Sequence, residues 1–200
     1  MIIFKNRDAT DNWTTWHKDL TAGYNLILDD TNASGASGAL QSPYVDSSFI
    51  YLGGTGDSPG DWVSTNTSGE RFVFYAWTGI EGYSKFGSYV GNGDTSGTAD
   101  TRDGAFIYLG FKPAFFIMKG TESGARWLVY DNKRDPNNPV IADLNIHATD
   151  TENTGTENAI DFLSNGIKMK YTSDNNINKS GVTYVYMAIA EMPFKYANAR

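Results

Sequence analysis

The first 87 residues of this 200-residue chain are written a second time, in degraded form, between residues 115 and 197. Ile2-Ile3-Phe4-Lys5 returns as Phe116-Ile117-Met118-Lys119. In each copy a tryptophan follows the lysine at eight positions (Trp13, Trp127), with an aromatic three further on (Trp16, Tyr130). Toward the other end, Asn66-Thr67-Ser68-Gly69 before Phe72-Val73-Phe74-Tyr75-Ala76 matches Asn178-Lys179-Ser180-Gly181 before Tyr184-Val185-Tyr186-Met187-Ala188. The offset is 114 residues at the start and 112 at the end, so one small gap reconciles the two. Duplication of this kind constrains the fold to like units that stack, and points to a module that is built rather than one that catalyses.

A helical period persists almost nowhere. Phe72–Trp77, Ala105–Phe111, Phe115–Met118, Trp127–Tyr130 and Tyr184–Ala190 are short apolar runs rich in aromatic and β-branched residues, bounded by Gly, Asn, Asp and Pro. That is the signature of strands. Lys168-Met169-Lys170-Tyr171 alternates, which implies one wet face; other runs are apolar throughout, which implies strands covered on both faces. Asn92-Gly93, Asn165-Gly166 and Ser180-Gly181 supply residues that accept positive φ in hairpin turns. Asp135-Pro136-Asn137-Asn138-Pro139 reads as a fixed surface loop. The expected class is all-β: two tandem antiparallel β-sandwich modules, jelly-roll or concanavalin-like, at residues 1–87 and 88–200. They are either separate sandwiches or share one core.

The second copy has a lead-in, Gly87 to Ala114, that the first lacks. It carries the strand candidates Ser88-Tyr89-Val90 and Phe106-Ile107-Tyr108-Leu109. A sandwich short of a strand exposes an edge and an apolar face. The expectation is that the chain is cut from a longer polypeptide, or that a neighbouring subunit covers the gap.

Several partners and chemistries are disfavoured. A net charge of −7 argues against nucleic acid, which needs clustered Lys and Arg, and against anionic membrane surfaces. No apolar run approaches the roughly 20 residues that span a bilayer as a helix. The chain has no cysteine, hence no disulfide, thiolate nucleophile or zinc–sulfur site. Neither His17 nor His147 has a histidine counterpart in the other copy. His17, two residues before Asp19, could pair with that carboxylate but reads as a surface or strand-end residue, and His147 as solvent-exposed. Glu81, Asp131, Asp135, Asp161 and Glu191 lie beside strands, yet sequence brings no two of them to the spacing of roughly 5–10 Å that glycoside hydrolysis uses. Asp94, Asp100 and Asp103, and the Asp131-Asn132-Lys133-Arg134-Asp135 segment, do not follow calcium-loop spacing. Lys133 and Arg134 are expected to pair with Asp131 and Asp135. No catalytic residue, metal or cofactor is expected.

What remains is a surface rich in aromatics and amides. Rings stack on the apolar faces of sugars while amides and carboxylates hydrogen-bond the hydroxyls. Candidate ligand-binding residues are Tyr44, Trp62, Tyr83, Tyr89, Asn92 and Asp94, in or near loops; Trp13, Trp127, Phe72 and Tyr184 are expected in the core.

The segments Glu81-Gly82-Tyr83-Ser84-Lys85-Phe86-Gly87-Ser88-Tyr89, Gly91-Asn92-Gly93, Gly110-Phe111-Lys112-Pro113-Ala114, Tyr130 to Pro136, Asp161 to Gly166 and Tyr186 to Phe194 together resemble repeated domains of bacteriophage tail-fibre and related virion proteins, especially marine ones. Asn6-Arg7-Asp8 with Trp16-His17-Lys18 resembles the first repeat of that family. The resemblance covers nearly the whole chain; one departure is Gly79, where the family and the second copy (Glu191) carry Glu. It implies a non-catalytic adhesin in an extracellular virion fibre, a homotrimer recognising a host-surface glycan or protein. Two alternatives stand beside it: a structural spacer or cap on a fibre, and a glycan hydrolase of the tailspike type.

Overall fold

The computed structural model describes residues 1–36, 40–46, 48–52, 65–94, 103–170 and 176–192, and of residues 40–44 the backbone alone. In chain order the strands are β1 (Ile2–Asn6), β2 (Thr14–Trp16), β3 (Tyr24–Ile27), β4 (Gly35–Ala36), β5 (Leu40–Val45), β6 (Ile50–Leu52), β7 (Phe72–Ala76) and β8 (Ser84–Val90). They continue as β9 (Phe106–Tyr108), β10 (Pro113–Gly120), β11 (Trp127–Asp131), β12 (Leu144–Asn145), β13 (Ile160–Leu163), β14 (Gly166–Met169) and β15 (Thr183–Ala190). Among the described residues the helical content is a single 3-10 turn, Thr156–Asn158. The protein is all-β, as the strand signals predict.

Among the described residues four antiparallel sheets are formed: β4-β3-β2-β1-β7, β12-β11-β10-β15-β8, β13-β14-β9 and the hairpin β5-β6. Their stacking follows from which side chains each strand turns to which face. In the second of these sheets alternate residues feed opposite cores. Phe116, Met118, Leu128, Tyr130, Tyr184 and Tyr186 pack with Ile107, Ile160, Phe162, Ile167 and Met169 of the three-stranded sheet. Ile117, Trp127, Val129 and Val185 pack with Met1, Ile3 and Leu26 of the first sheet. Ile2 and Phe4 turn the other way and meet Val45, Ile50 and Leu52 of the hairpin. The result is a layered β-sandwich whose second sheet is covered on both faces, which is why β10, β11 and β15 read as unbroken apolar runs.

The two five-stranded sheets carry related registers. In the first, Ile2, Ile3 and Phe4 face Trp16, Thr15 and Thr14; in the second, Phe116, Ile117 and Met118 face Tyr130, Val129 and Leu128. Each second set is the first plus 114. On the other side of β1, Ile2 faces Ala76 and Phe4 faces Phe74, while Phe116 faces Ala188 and Met118 faces Tyr186, an offset of 112 on the outer strand. The boundary expected between residues 87 and 88 falls inside β8, all seven residues of which pair with β15, and the two halves bury a common cluster.

The paired lysines and tryptophans occupy corresponding places in different surroundings. Lys5 Nζ donates to the Asp11 carbonyl and lies 6.0 Å from the Trp13 ring centre. Lys119, fully buried, donates to the carbonyls of Gly120 (2.8 Å) and Asn32 (3.1 Å), and burial lowers its pKa to about 8. Trp127 is buried and its indole N–H donates to Ile27 of the first sheet at 2.7 Å, whereas Trp13 is half-buried. Tyr184 is fully buried and Phe72 half-buried, so of the four aromatics expected in the core the second copy's pair lies deeper.

Candidate functional site

Two open depressions adjoin beside the start of β8, sharing Ile80 and Ser84 in their lining. The larger, about 690 Å³, runs between the turn Ile80–Ser84 and the segment that follows β9. The turn is fixed by its own chemistry. Ile80 N–H donates to the carbonyl (3.1 Å) and hydroxyl (3.1 Å) of Ser84, and that hydroxyl donates to Thr78 O at 3.0 Å. Opposite, the amides of Leu109 and Gly110 both donate to Asn165 O, tying the wall to the β13–β14 turn. Tyr108, 61% exposed, presents its ring to solvent along this wall. Lys85 Nζ donates to Tyr108 O at 2.7 Å and stands 5.2 Å from the ring centre, which holds the ring by a cation–π contact.

The cleft lining also carries an ion pair. Lys112 Nζ lies 2.9 Å from Glu191 Oε2, and Asn132 Nδ2 donates to the other oxygen at 2.7 Å. Glu81, Ser164 and Met192 complete the lining. Gly79 also lines it, and a Cβ there would have Ser84 O as its nearest atom, at 3.7 Å; a side chain at this position has room. The smaller depression, about 510 Å³, is apolar and is lined by Trp77, Ile80, Tyr83, Phe86 and Met187.

The residues predicted from sequence have mixed fates. Tyr83 lies at the smaller depression, half-buried, with its main chain bonded to Ile80 and Ala190. Tyr89 lies in a strand, β8, as the candidate Ser88-Tyr89-Val90 predicts, but its side chain is buried rather than presented to a ligand. Its ring stacks on Tyr184 at 4.9 Å and its hydroxyl donates to Ile177 O at 2.5 Å, and burial pushes the phenol well above its usual pKa. Asn92 is spent on architecture, donating to Asp103 O (2.8 Å) and accepting from Asn178 Nδ2 (2.8 Å). Asp94 accepts from the Asp103 amide at 2.8 Å, closing the same loop. Trp62 and the side chain of Tyr44 lie outside the described residues.

Other expectations change too. His17 is not at the surface: it is 1% exposed, with Nε2–H donating to Tyr186 O at 3.1 Å and Nδ1 accepting from the Asp19 amide at 3.2 Å. His147 is half-buried rather than exposed. Arg134 pairs with Asp131 (2.5 Å) and Glu152 (2.7 Å), but Asp135 instead accepts from the amides of Ile141 and Ala142. Of the five strand-side carboxylates only Glu81 and Glu191 line the cleft. Tyr108, Lys85 and Lys112, which sequence reasoning did not single out, do so as well.

Among the described residues no group of three or more His, Asp or Glu side chains is arranged to hold a metal ion. There is, however, a buried polar knot. Asp143 is fully buried, and its Oδ1 accepts from Asn153 (2.9 Å) and Asn158 (3.1 Å). Its Oδ2 and the side-chain oxygens of Asn145 and Asn158 find no hydrogen-bond partner. Desolvation raises the carboxyl pKa, and an uncompensated buried charge is costly. Asp143→Asn is therefore expected to stabilise the fold by about 1–2 kcal/mol at pH 7, read as a higher urea midpoint at unchanged slope. A lower midpoint would mean that the charge is used.

The chain belongs to the family described as Domain of unknown function (DUF7483), whose model matches residues 1–193. No curated protein and no solved structure matches it.

Proposed function

We propose that the chain is a non-catalytic recognition domain of an extracellular virion fibre, and that the cleft beside Tyr108 receives a sugar of the host surface. One observation carries the reading: an exposed aromatic ring, held by Lys85, lies along an open cleft that charged side chains also line. Such a ring offers a stacking face, and Glu81, Lys112 and Ser164 offer polar tips for hydroxyls. The segments whose wording resembles phage fibre proteins supply much of this lining: Glu81, Gly82, Ser84 and Lys85, Gly110 to Lys112, Ser164, and Glu191 with Met192. A trimeric fibre and a virion location accompany the proposal on the same resemblance.

Binding of the labelled chain to a glycan array, with competition for host-cell adsorption, tests it. Tyr108→Ala is expected to lower affinity roughly tenfold, the equivalent of about 1.4 kcal/mol, without moving the melting temperature, because the ring is mostly solvent-exposed. Unchanged binding in that variant, or no binding to glycans or cells by the parent chain, would sink the proposal. Glu81 and Glu191 share the cleft, which favours glycan hydrolysis as the second reading. Release of reducing sugar from host polysaccharide, lost in Glu81→Gln, would establish that reading instead.

A further inference from the structure

We infer that the outer edge of β7 is a docking site for an extended strand of another polypeptide, added antiparallel with the pattern of β8. Among the described residues β7 is the last strand of its sheet, and it exposes Phe74 (55%) and Tyr75 (47%). In the other five-stranded sheet the strand in the corresponding place, β15, is not last: β8 lies along it in antiparallel register.

The hydrogen-bonding parity of the two strands is the same. Arg7 N–H donates to Arg71 O, and Trp77 N–H to Met1 O, so the residues of β7 that bond to β1 are the odd-numbered ones. Phe72, Phe74 and Ala76 therefore direct their amides and carbonyls away from the sheet. Their counterparts 112 positions on are Tyr184, Tyr186 and Ala188. These face Tyr89, Gly87 and Lys85 of β8, in a ladder bracketed by the bonds Gly91 N–H to Val182 O and Ala190 N–H to Tyr83 O. Among the described residues, the same three positions thus carry a strand in one sheet and none in the other.

Space beside the edge fits the same occupant. Phe86 of β8, which faces Met187, packs into the cluster between the sheets. The counterpart of Met187 is Tyr75, and next to Tyr75 lies the apolar depression lined by Trp77, Ile80 and Met187. An added strand in the register of β8 would set an aromatic side chain there. Opposite Phe74 it needs a residue without a side chain, as at Gly87, where a Cβ would come within 2.5 Å of the Tyr186 hydroxyl. The partner is accordingly an extended segment with glycine facing Phe74, an apolar ring before it and a second ring two residues after it. Main-chain bonds supply the affinity and these alternate side chains the choice of partner.

The test uses a synthetic peptide with the sequence of residues 83–91 and the whole chain, followed by amide hydrogen exchange. The peptide is expected to slow exchange at Phe72, Phe74 and Ala76 on the order of tenfold or more, leaving Val73 and Tyr75 unchanged. Replacing the glycine of the peptide by valine, or Phe74 of the protein by lysine, should abolish the effect. Three results would overturn the inference: no slowing at millimolar peptide, exchange already slow in the free chain at every concentration, or slowing that grows with protein concentration alone. The last would mean that β7 pairs with a second copy.

Discussion

Trp127→Ala is expected to cost about 4 kcal/mol of folding free energy, and Trp13→Ala less than half of that. The two tryptophans hold corresponding positions, so the comparison isolates environment from residue type. Trp127 is 2% exposed, packs with Met1, Ile3 and Leu26 across the layer, and donates its indole N–H to Ile27. Its removal leaves a large cavity and takes the indole partner from a half-buried carbonyl, which together fall at the severe end of core truncations. Trp13 is half-buried at the rim of the same cluster and shares its ring with Lys5. Urea melts of both variants give the two numbers. Equal losses would mean that the first sheet is held to the second by something other than this seam.

The second large effect is acid sensitivity through His17. Burial, with the Met1 amine and Lys18 adding like charge, holds its pKa near 4 instead of the usual 6.5. At pH 7 the imidazole is neutral in both folded and unfolded chains. As pH falls below 6.5 the unfolded chain takes up a proton that the folded one refuses until about pH 4, so the equilibrium moves toward unfolding. Across that window the loss amounts to about 3 kcal/mol. Asp143 works in the opposite sense, because its raised pKa lets the folded state bind the extra proton above pH 3.8, and this offsets part of the loss. Carboxylates with lowered pKa, such as Asp131 beside Arg134, lose their contribution only below pH 3.8 and so fall outside the window. Stability measured at pH 7.0 and 4.5 should drop in the parent chain and drop far less in His17→Gln. An equal drop in both would assign the acid sensitivity to other groups.

His17 also illustrates where sequence reading reaches its limit. That β2 ends near Trp16 was visible from the aromatic pattern. That the next residue would be roofed by Tyr186, 169 positions away, depends on how two sheets stack, and no local pattern carries that. The strands, by contrast, were legible because a short apolar run bounded by turn residues is a local signal, and the registers of β1 with β2 and of β10 with β11 follow the 114-residue offset already present in the letters. That Tyr89 lies in a strand was legible in the run Ser88-Tyr89-Val90, but its burial was not. Its neighbours Gly87, Ser88, Gly91 and Asn92 look like turn residues, but glycine there permits close approach to Tyr186 and Lys179 rather than a turn. The cleft was the least legible part. Its residues come from the turn after β7 and the start of β8, the end of β9 and the segment after it, the β13–β14 turn and the residues after β15, places that only the folded sheets bring together.

The placement of β8 has a consequence for the order in which the chain assembles. Ser84 must find Ile189, 105 positions on, whereas β10 and β11 close over a few residues and Ile2 finds Ala76 over 74. Closing the longest loop demands the most chain entropy. The hairpins and the first sheet can therefore form while β8 is still loose, and β8 is tied in only once β15 has been made. During that interval β7 and β15 both present bare edges to the same free strand. A chain with one β8 and two places for it has a built-in competition, in which the shorter tether favours the edge of β7 and the completed second sheet favours β15.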